Sequence, residues 1–189
     1  MIRFIVVDGP DAAGKTTLVA SLACALGYES LKTPPLEYRA RRNHYDDVGV
    51  SPLARFTFYA DGLAASCDEI RAGLRKGHGV VVDRYVDSLV LHHNALDPST
   101  HFAALALAYD YPTPDLRIIL TAHIDTLEER IAKRATEQRS DSHLERDPEY
   151  LNRVLEQFRQ IAGPDVLHLD TGTADSSETL RTALRELQP

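Results

Sequence analysis

The sequence has no tryptophan, one methionine and only two cysteines among its 189 residues. Cys24 and Cys67 form no Cys-x-x-Cys or Cys/His pattern, which argues against a disulfide framework and a structural zinc site. Both fall at core-type positions of predicted helices, so we expect buried free thiols in a reducing cytoplasm. His92 and His93 are adjacent, but no carboxylate cluster accompanies them, which argues against a histidine metal site.

Long apolar runs and positive net charge are also absent. No apolar run approaches the length of a membrane span, and a strand-like run beginning at Ile2 argues against a signal peptide. The formal net charge of −7 argues against nucleic acid as the main partner. With 43% hydrophobic residues, the chain can build one well-buried core, and we expect a single domain over residues 1–189.

Short β-branched runs alternate with longer helical patterns. The runs predict strands at residues 2–8, 29–33, 79–83, 116–121 and 166–170. Capping or first-turn signals mark helix starts at Ser51-Pro52, at Asp125 with Glu128, at Asp147-Pro148 and at Asp175 with Glu178. Because helix separates each strand from the next, the pattern predicts an α/β fold with a parallel sheet covered on both faces.

The most informative stretch is residues 9–16, which read Gly, four residues, Gly-Lys-Thr directly after the apolar run 4–7. Two glycines let the backbone wrap around a polyphosphate, and the following helix points its positive end at the anion. Lys15 is then expected to reach the β and γ phosphates, and the Thr16 hydroxyl to bind Mg²⁺. The expected nucleotide-binding residues of the loop are Ala12, Ala13, Gly14, Lys15, Thr16 and Thr17.

A second chemical feature ends the third predicted strand. Asp83 and Arg84 follow the run Val80-Val81-Val82, at the carboxyl edge of the sheet where ligands bind in this class of fold. Asp83 is therefore placed to hold Mg²⁺, directly or through water, and Arg84 to bind a phosphoryl group. The alternative is an ordinary helix-start carboxylate with a surface arginine.

The helix after the fourth strand carries several cations. Arg130 and Arg134 lie one turn apart on the same face, a like-charge pair that costs roughly 0.2 to 0.5 kcal/mol in isolation and fits better beside an anion. Arg139 follows in a polar stretch without apolar periodicity. We expect a mobile lid over about residues 134–147 that brings cations over bound phosphates. The alternative is a solvated helix face.

Taken together, these features resemble the thymidylate kinase family of nucleoside monophosphate kinases. The resemblance rests on the phosphate loop with Asp11 inside it, Asp83-Arg84-Tyr85, Phe58-Tyr59-Ala60-Asp61 and the arginine-bearing lid. It implies a P-loop kinase fold with a five-stranded parallel sheet, and transfer of the γ phosphoryl of ATP to a nucleoside monophosphate with Mg²⁺. Asp11 would then orient the acceptor sugar or its metal network, Arg84 would bridge the two phosphates, and Arg134 or Arg139 would supply the transition-state cation.

Two departures from that family fall on the acceptor side. The family usually has Glu-Pro-Gly after the second strand, where this chain has Lys-Thr-Pro-Pro at 32–35. After the Ala-Asp pair, the family usually has an arginine that helps to recognise thymine, whereas this chain has Gly62. Both features resemble the branch that includes the mitochondrial UMP/CMP kinase. We therefore expect a pyrimidine monophosphate other than dTMP as acceptor.

Helical spacing predicts an acceptor wall beside the core stripe of the helix from Pro52. Arg55, Tyr59, Gly62 and Ser66 form one stripe, and Gly62 either leaves room for a base or lets another segment approach closely. Tyr38, Arg39, Arg41 and Arg42 either contact the acceptor or are exposed, and the acidic pair at 46–47 is interpreted as a solvated turn. The expected acceptor-binding residues are Asp11, Lys32, Pro35, Arg55, Tyr59, Arg84 and Ser88. The expected catalytic residues are Asp11, Lys15, Arg84, Arg134 and Arg139, with Arg130 and Arg134 also binding ATP.

Two other functions stay open at this point. One is a kinase for a nucleoside or another small molecule, which could belong to specialised metabolism. The other is a nucleotide-dependent switch, which is weakened because Asn-Lys-x-Asp is absent and the acidic turn at 46–49 does not follow a strand. Each function predicts a small nucleotide partner rather than nucleic acid or membrane. The oligomeric state also stays open, with a homodimer as one alternative.

Overall fold

The computed structural model describes residues 2–39, 41–46, 49–137 and 147–187. The strands are β1 Phe4–Asp8, β2 Glu29–Lys32, β3 Val80–Asp83, β4 Leu116–Thr121 and β5 Val166–Asp170. The helices are α1 Lys15–Leu26, α2 Leu36–Arg39, α3 Arg42–Tyr45, α4 Pro52–Arg75, α5 Val86–Leu96, α6 Phe102–Ala106, α7 Ile124–Glu137, α8 Pro148–Arg159 and α9 Ser176–Glu186. The five predicted strands are confirmed, with ends that shift by no more than two residues.

The strands form one sheet in the order β2-β3-β1-β4-β5, and every neighbouring pair is parallel. Every residue of β1 and β3 is buried, as expected for central strands covered by helices on both faces. β1 lies beside β3. The connection after β1 runs towards β2 at one edge of the sheet, whereas the connection after β3 runs towards β4 on the other side of β1. This arrangement opens a crevice at the carboxyl ends of β1 and β3, where ligands bind in open α/β sheets.

Side chains of β1 alternate between two cores, one on each face of the sheet. Ile5 and Val7 join the core that includes Leu22 and Leu127 of the helices, whereas Phe4 and Val6 join the opposite core with Phe56 of α4. This alternation follows from the two-residue repeat of a strand. The two cores fix the central strands that carry the site.

Several predicted helix starts are confirmed by side-chain caps. Ser51 accepts a hydrogen bond from the Ala54 amide at 3.2 Å, Asp147 caps α8 and Asp175 caps α9. Asp125 lies in the first turn of α7, consistent with its favourable interaction with the helix dipole. These ends are set by local sequence.

One cysteine prediction is wrong. Cys67 is buried, but Cys24 is exposed. α1 buries Leu18 and Leu22, and Cys24 lies two positions after Leu22, which turns its side chain away from the core. Within the described ranges, none of the helices is both long and apolar enough to cross a membrane.

Candidate active site

The loop between β1 and α1 has a backbone that glycine makes possible. Gly9 and Gly14 have φ of 144° and 92°, a region that favours glycine. A side chain at Gly9 would also overlap the Leu120 carbonyl oxygen of β4. Gly14 is the N-cap of α1 and carries no side chain that could cap the first amides, which suits an anion at this helix start.

Lys15 lies inside this loop and is buried. Its Nζ donates to the Pro10 carbonyl oxygen at 2.5 Å, so the chain folds the lysine back over its own loop. Burial, aided by the nearby Arg84 cation, lowers the pKa of Lys15 to about 8, although Asp11 opposes the change. The ammonium group therefore lies inside the loop, where a bound polyphosphate would offset the cost of its burial.

Thr16 and Asp83 meet at the carboxyl ends of β1 and β3. The Thr16 hydroxyl donates to Asp83 Oδ2 at 2.6 Å, while Asp83 Oδ1 is buried without a hydrogen-bond partner among the described residues. An unsatisfied buried carboxylate oxygen beside a hydroxyl is a donor set that fits Mg²⁺, which binds proteins through one or two carboxylates together with substrate phosphates and water. Lys32 Nζ lies 3.3 Å from Thr16 Oγ1 and 3.5 Å from Asp83 Oδ2, at this same pair.

Arg84 and Asp11 form an ion pair beside the loop. Arg84 has φ of 72°, and its carbonyl oxygen accepts a hydrogen bond from Thr33 Oγ1 at 2.8 Å. Burial alone would raise the pKa of Asp11, but the Arg84 guanidinium and Lys15 hold it well below its usual range. Asp11 is therefore a carboxylate that orients Arg84.

Two residues that sequence analysis did not connect hold the other side of Arg84. Its second terminal nitrogen lies 3.2 Å from His92 Nε2, and His92 Nδ1 lies 2.7 Å from the Tyr150 hydroxyl. Burial lowers the pKa of His92 well below its ordinary value. No sequence pattern relates position 92 to position 150, because the contact forms only when α8 packs on α5.

A buried carboxylate, Asp8, lies under the site. Its oxygens accept from the Tyr85 amide at 3.1 Å and from the Ser88 hydroxyl. Burial and the neighbouring Asp87 raise the pKa of Asp8 to about 6. Ser88, which we expected among the acceptor-binding residues, is buried and directs its hydroxyl to Asp8.

The interpretation of Asp46 as part of a solvated turn is wrong. Asp46 is buried and accepts from Arg42 Nε at 2.6 Å, from the Tyr59 hydroxyl at 2.8 Å and from an Arg55 terminal nitrogen at 3.0 Å. Donors from α3 and α4 thus converge on one carboxylate. Arg55 Nε is buried and has no hydrogen-bond partner in the described part of the chain. The N–H group of this atom is therefore an unsatisfied donor within the cluster.

Gly62 serves close packing rather than open space. A Cβ atom there would lie 2.8 Å from Pro34 Cβ and 2.9 Å from a Tyr38 ring carbon. Tyr38 is half-buried and packs against the Phe58 ring with centroids 5.5 Å apart. Of the two interpretations of Gly62, the structure supports close approach, and Pro35 follows in the same half-buried turn.

Arg130 joins the phosphate loop to the β5 end. It donates to the Ala12 carbonyl at 3.4 Å and to the Thr171 carbonyl at 2.7 Å. It borders a cavity of about 320 Å³ beside the loop. The lining includes Ala12, Ala13, Gly14, Thr17, Thr171 and Ser176. Arg134, one turn further, is half-buried and helps to lower the pKa of Asp11, whereas Arg139 lies outside the described residues.

A parallel sheet with a glycine loop, a buried lysine and a Thr–Asp pair at its carboxyl edge defines a P-loop phosphotransferase. The family model for thymidylate kinase matches residues 7–179, and the chain belongs to this family. A probable thymidylate kinase of Pyrobaculum calidifontis is 31% identical over 161 residues, covering 81% of this chain and 79% of the relative.

Other similar proteins extend the comparison. A cytidylate kinase of Neisseria gonorrhoeae is 29% identical over 96% of this chain and 95% of its own. The structure of the Candida albicans thymidylate kinase superposes with a TM-score of 0.80 at 22% identity, covering 98% of this chain and 90% of the other. The fold is that of the P-loop kinases, and the protein is a nucleoside monophosphate kinase.

Proposed function

We propose that this kinase transfers the γ phosphoryl of ATP to a pyrimidine nucleoside monophosphate other than dTMP. The main support for a base other than thymine is Gly62, where an added Cβ atom would lie 2.8 Å from Pro34 Cβ. The thymine-reading arginine expected from the family resemblance therefore has no space at this position. Relatives described as cytidylate kinases match nearly the full length of the chain, which supports a different pyrimidine.

ATP binds along the loop in this proposal. Lys15 and the loop amides hold the β and γ phosphates, and the cavity beside Arg130 takes the nucleoside end. The contacting residues are Ala12, Ala13, Gly14, Lys15, Thr16, Thr17, Arg130 and Arg134. Lys15 lies at the start of α1 within the loop, which supports this orientation.

Mg²⁺ would be held by Thr16 and Asp83. When bound, the ion supplies positive charge that neutralises phosphate oxygens. The unsatisfied Asp83 Oδ1 supports this assignment.

Arg84 contacts the transferring group and the acceptor phosphate, held in place by Asp11. The acceptor phosphate oxygen attacks the γ phosphorus, a new P–O bond forms, and the bond to the β-phosphate oxygen breaks to release ADP. Positioning and charge supply most of the catalysis in this reaction class. Within the expected lid at about 134–147, Arg134 and Arg139 would supply cations to the phosphates during transfer, and Arg139 lies outside the described residues.

On the acceptor side, Arg55 supplies positive charge, and Tyr59 and Pro35 form the wall. Lys32, which lies against the Thr16–Asp83 pair, supplies a further cation between this pair and the acceptor. Arg55 Nε is a buried donor without a protein partner among the described residues, so an acceptor atom of the substrate would satisfy it. Several cations favour a phosphorylated acceptor over a neutral nucleoside. ATP and nucleoside monophosphates are cytoplasmic metabolites, so we also propose a cytoplasmic location.

The test is kcat/KM for ribo and deoxy monophosphates and for their parent nucleosides, under one ATP and Mg²⁺ condition. We expect the highest value with CMP, UMP or a deoxy counterpart. A clear preference for dTMP would refute the departure from thymidylate kinases. Highest activity with a nucleoside would refute the phosphorylated acceptor, and absence of acceptor-dependent ADP formation would favour a switch.

A further inference from the structure

A hydrogen-bonded chain of four side chains crosses the candidate site. Asp11 of the phosphate loop pairs with Arg84, Arg84 contacts His92 Nε2 at 3.2 Å, and His92 Nδ1 contacts the Tyr150 hydroxyl at 2.7 Å. The chain thus runs from the loop, through the end of β3 and helix α5, to helix α8. Asp11 in the loop and His92 in α5 thus contact the two terminal nitrogens of the Arg84 guanidinium, one each.

The direction of each hydrogen bond follows from chemistry. A guanidinium only donates, so His92 Nε2 accepts and its proton resides on Nδ1. Nδ1 then donates to the Tyr150 hydroxyl, which fixes the ring. Burial keeps His92 neutral by lowering its pKa, so the acceptor on Nε2 persists at neutral pH.

Tyr150 lies in the first turn of α8, where its amide donates to the capping Asp147. α8 is also fastened to α5 by Arg153 Nε, which donates to the Ala95 carbonyl at 3.0 Å. The hydroxyl that ends the chain of side chains is therefore anchored on a rigid helix start. A long arginine held at both terminal nitrogens loses most of its rotational freedom, and small misplacements of such groups slow a reaction strongly.

We propose that His92 and Tyr150 are positioning residues that hold the Arg84 guanidinium in the orientation used for phosphoryl transfer. This inference rests on the proposed role of Arg84. Neither residue needs to contact the nucleotide. They act by restricting Arg84, so their effect disappears when Arg84 is absent.

The experiment is a double-mutant cycle. His92→Phe retains a ring but removes both nitrogens, and it should lower kcat about tenfold with little change in KM for ATP, since hydrogen bonds to charged groups are the stronger ones. His92→Gln keeps an acceptor and a donor and should recover most of the activity. Tyr150→Phe removes one oxygen and should lower kcat less. In an Arg84→Ala background, His92→Phe and Tyr150→Phe should each change the residual rate less than about twofold, because coupled positions are not additive.

Tyr111→Phe is the matched control, because it removes another half-buried hydroxyl, one that donates to the Ala60 carbonyl at 3.1 Å. It should leave kcat unchanged in both backgrounds. Thermal unfolding of every variant reports the fold, and Tyr150→Phe keeps the test valid should His92→Phe not fold.

Equal loss of activity with and without Arg84 would overturn the inference and make His92 and Tyr150 structural. Failure of His92→Gln to recover more activity than His92→Phe would also overturn it. Near-normal transfer by Arg84→Ala itself would refute the role of Arg84 in the proposed function. This outcome can be told apart from failure of the positioning inference, in which Arg84→Ala is slow but the His92 and Tyr150 variants lose the same activity in both backgrounds.

Discussion

Burial shifts the pKa values of the charged residues around the phosphate loop in a consistent direction. It lowers the pKa of Lys15 to about 8 and raises that of Asp8 to about 6, because low-dielectric surroundings favour the neutral form of either group. Asp11 is the exception, since Arg84 keeps its pKa low. The shifts at Lys15 and Asp8 can each be tested by substitution.

Lys15→Ala should reduce phosphoryl transfer by about a hundredfold or more, because electrostatic stabilisation provides most of the catalysis in this reaction class. The measurement is kcat from ADP formation, with circular dichroism to show an unchanged fold. Lys76→Ala is the control, since Lys76 is exposed after α4, at the opposite edge of the sheet. Near-normal turnover of Lys15→Ala would exclude the loop as the donor site.

Asp8 should make stability depend on pH. Its pKa is raised from 3.8 to about 6 in the fold, so its favourable contribution is complete below about pH 4 and is lost as the pH rises through about 6. Comparing urea unfolding of the wild type and Asp8→Asn at pH 4.5 and 7 should show an extra loss in the wild type of roughly 1 to 3 kcal/mol. Parallel changes in the two proteins would show that Asp8 does not titrate in this range.

At the scale of elements, the acceptor side depends on how the short helices α2 and α3 pack against α4. Gly62 allows the segment with Pro34 and Tyr38 to approach α4. Asp46 then ties α3 to Arg55 and Tyr59 of α4. The wall that we propose faces the acceptor is thus assembled from three helices.

Gly62→Ala should destabilise the fold by about 1 to 3 kcal/mol, because the added methyl group meets Pro34 and Tyr38 below contact distance. The gain in helix propensity offsets only part of this cost. Denaturant unfolding gives the change. Gly49→Ala is the control, since no described atom beyond Gly49 and its chain neighbours lies within 4 Å of the Cβ position there. Equal stability of both variants would contradict the packing role of Gly62.

Arg134→Ala should lower kcat by about tenfold or more and change KM for ATP less, because a lid cation acts mainly on the transition state. Lys133→Ala is the control, since its exposed side chain lies on a different face of α7. Steady-state kinetics with saturating acceptor measure both. An unchanged kcat for Arg134→Ala would favour the alternative interpretation, in which Arg134 belongs to a solvated helix face.

For the whole molecule, the strand order brings distant segments to one edge of the sheet, so ligand binding should stabilise the entire fold. ATP with Mg²⁺ at a hundred times its Kd should raise Tm by on the order of 5 to 10 °C. Differential scanning calorimetry measures this shift. Lys15→Ala should abolish most of it, and an equal shift in that variant would show that ATP binds elsewhere.

The sequence by itself determined the five strands, the capped helix starts and the phosphate loop. It also placed Asp83 and Arg84 at the carboxyl edge of the sheet. These features depend on local periodicity, on residues a few positions apart, and on the rule that parallel strands share their carboxyl edge. The meeting of Thr16 with Asp83 therefore follows from the sequence, because both lie at this edge.

Only the tertiary structure decided the burial of Asp46, the close packing at Gly62 and the contact of His92 with Tyr150. Each depends on partners from other elements, whose distances no periodicity encodes. Ser88 turns to Asp8 for the same reason. A side chain on a helix stripe can face a ligand or a neighbouring strand, and packing selects between them because every buried polar group must find a partner.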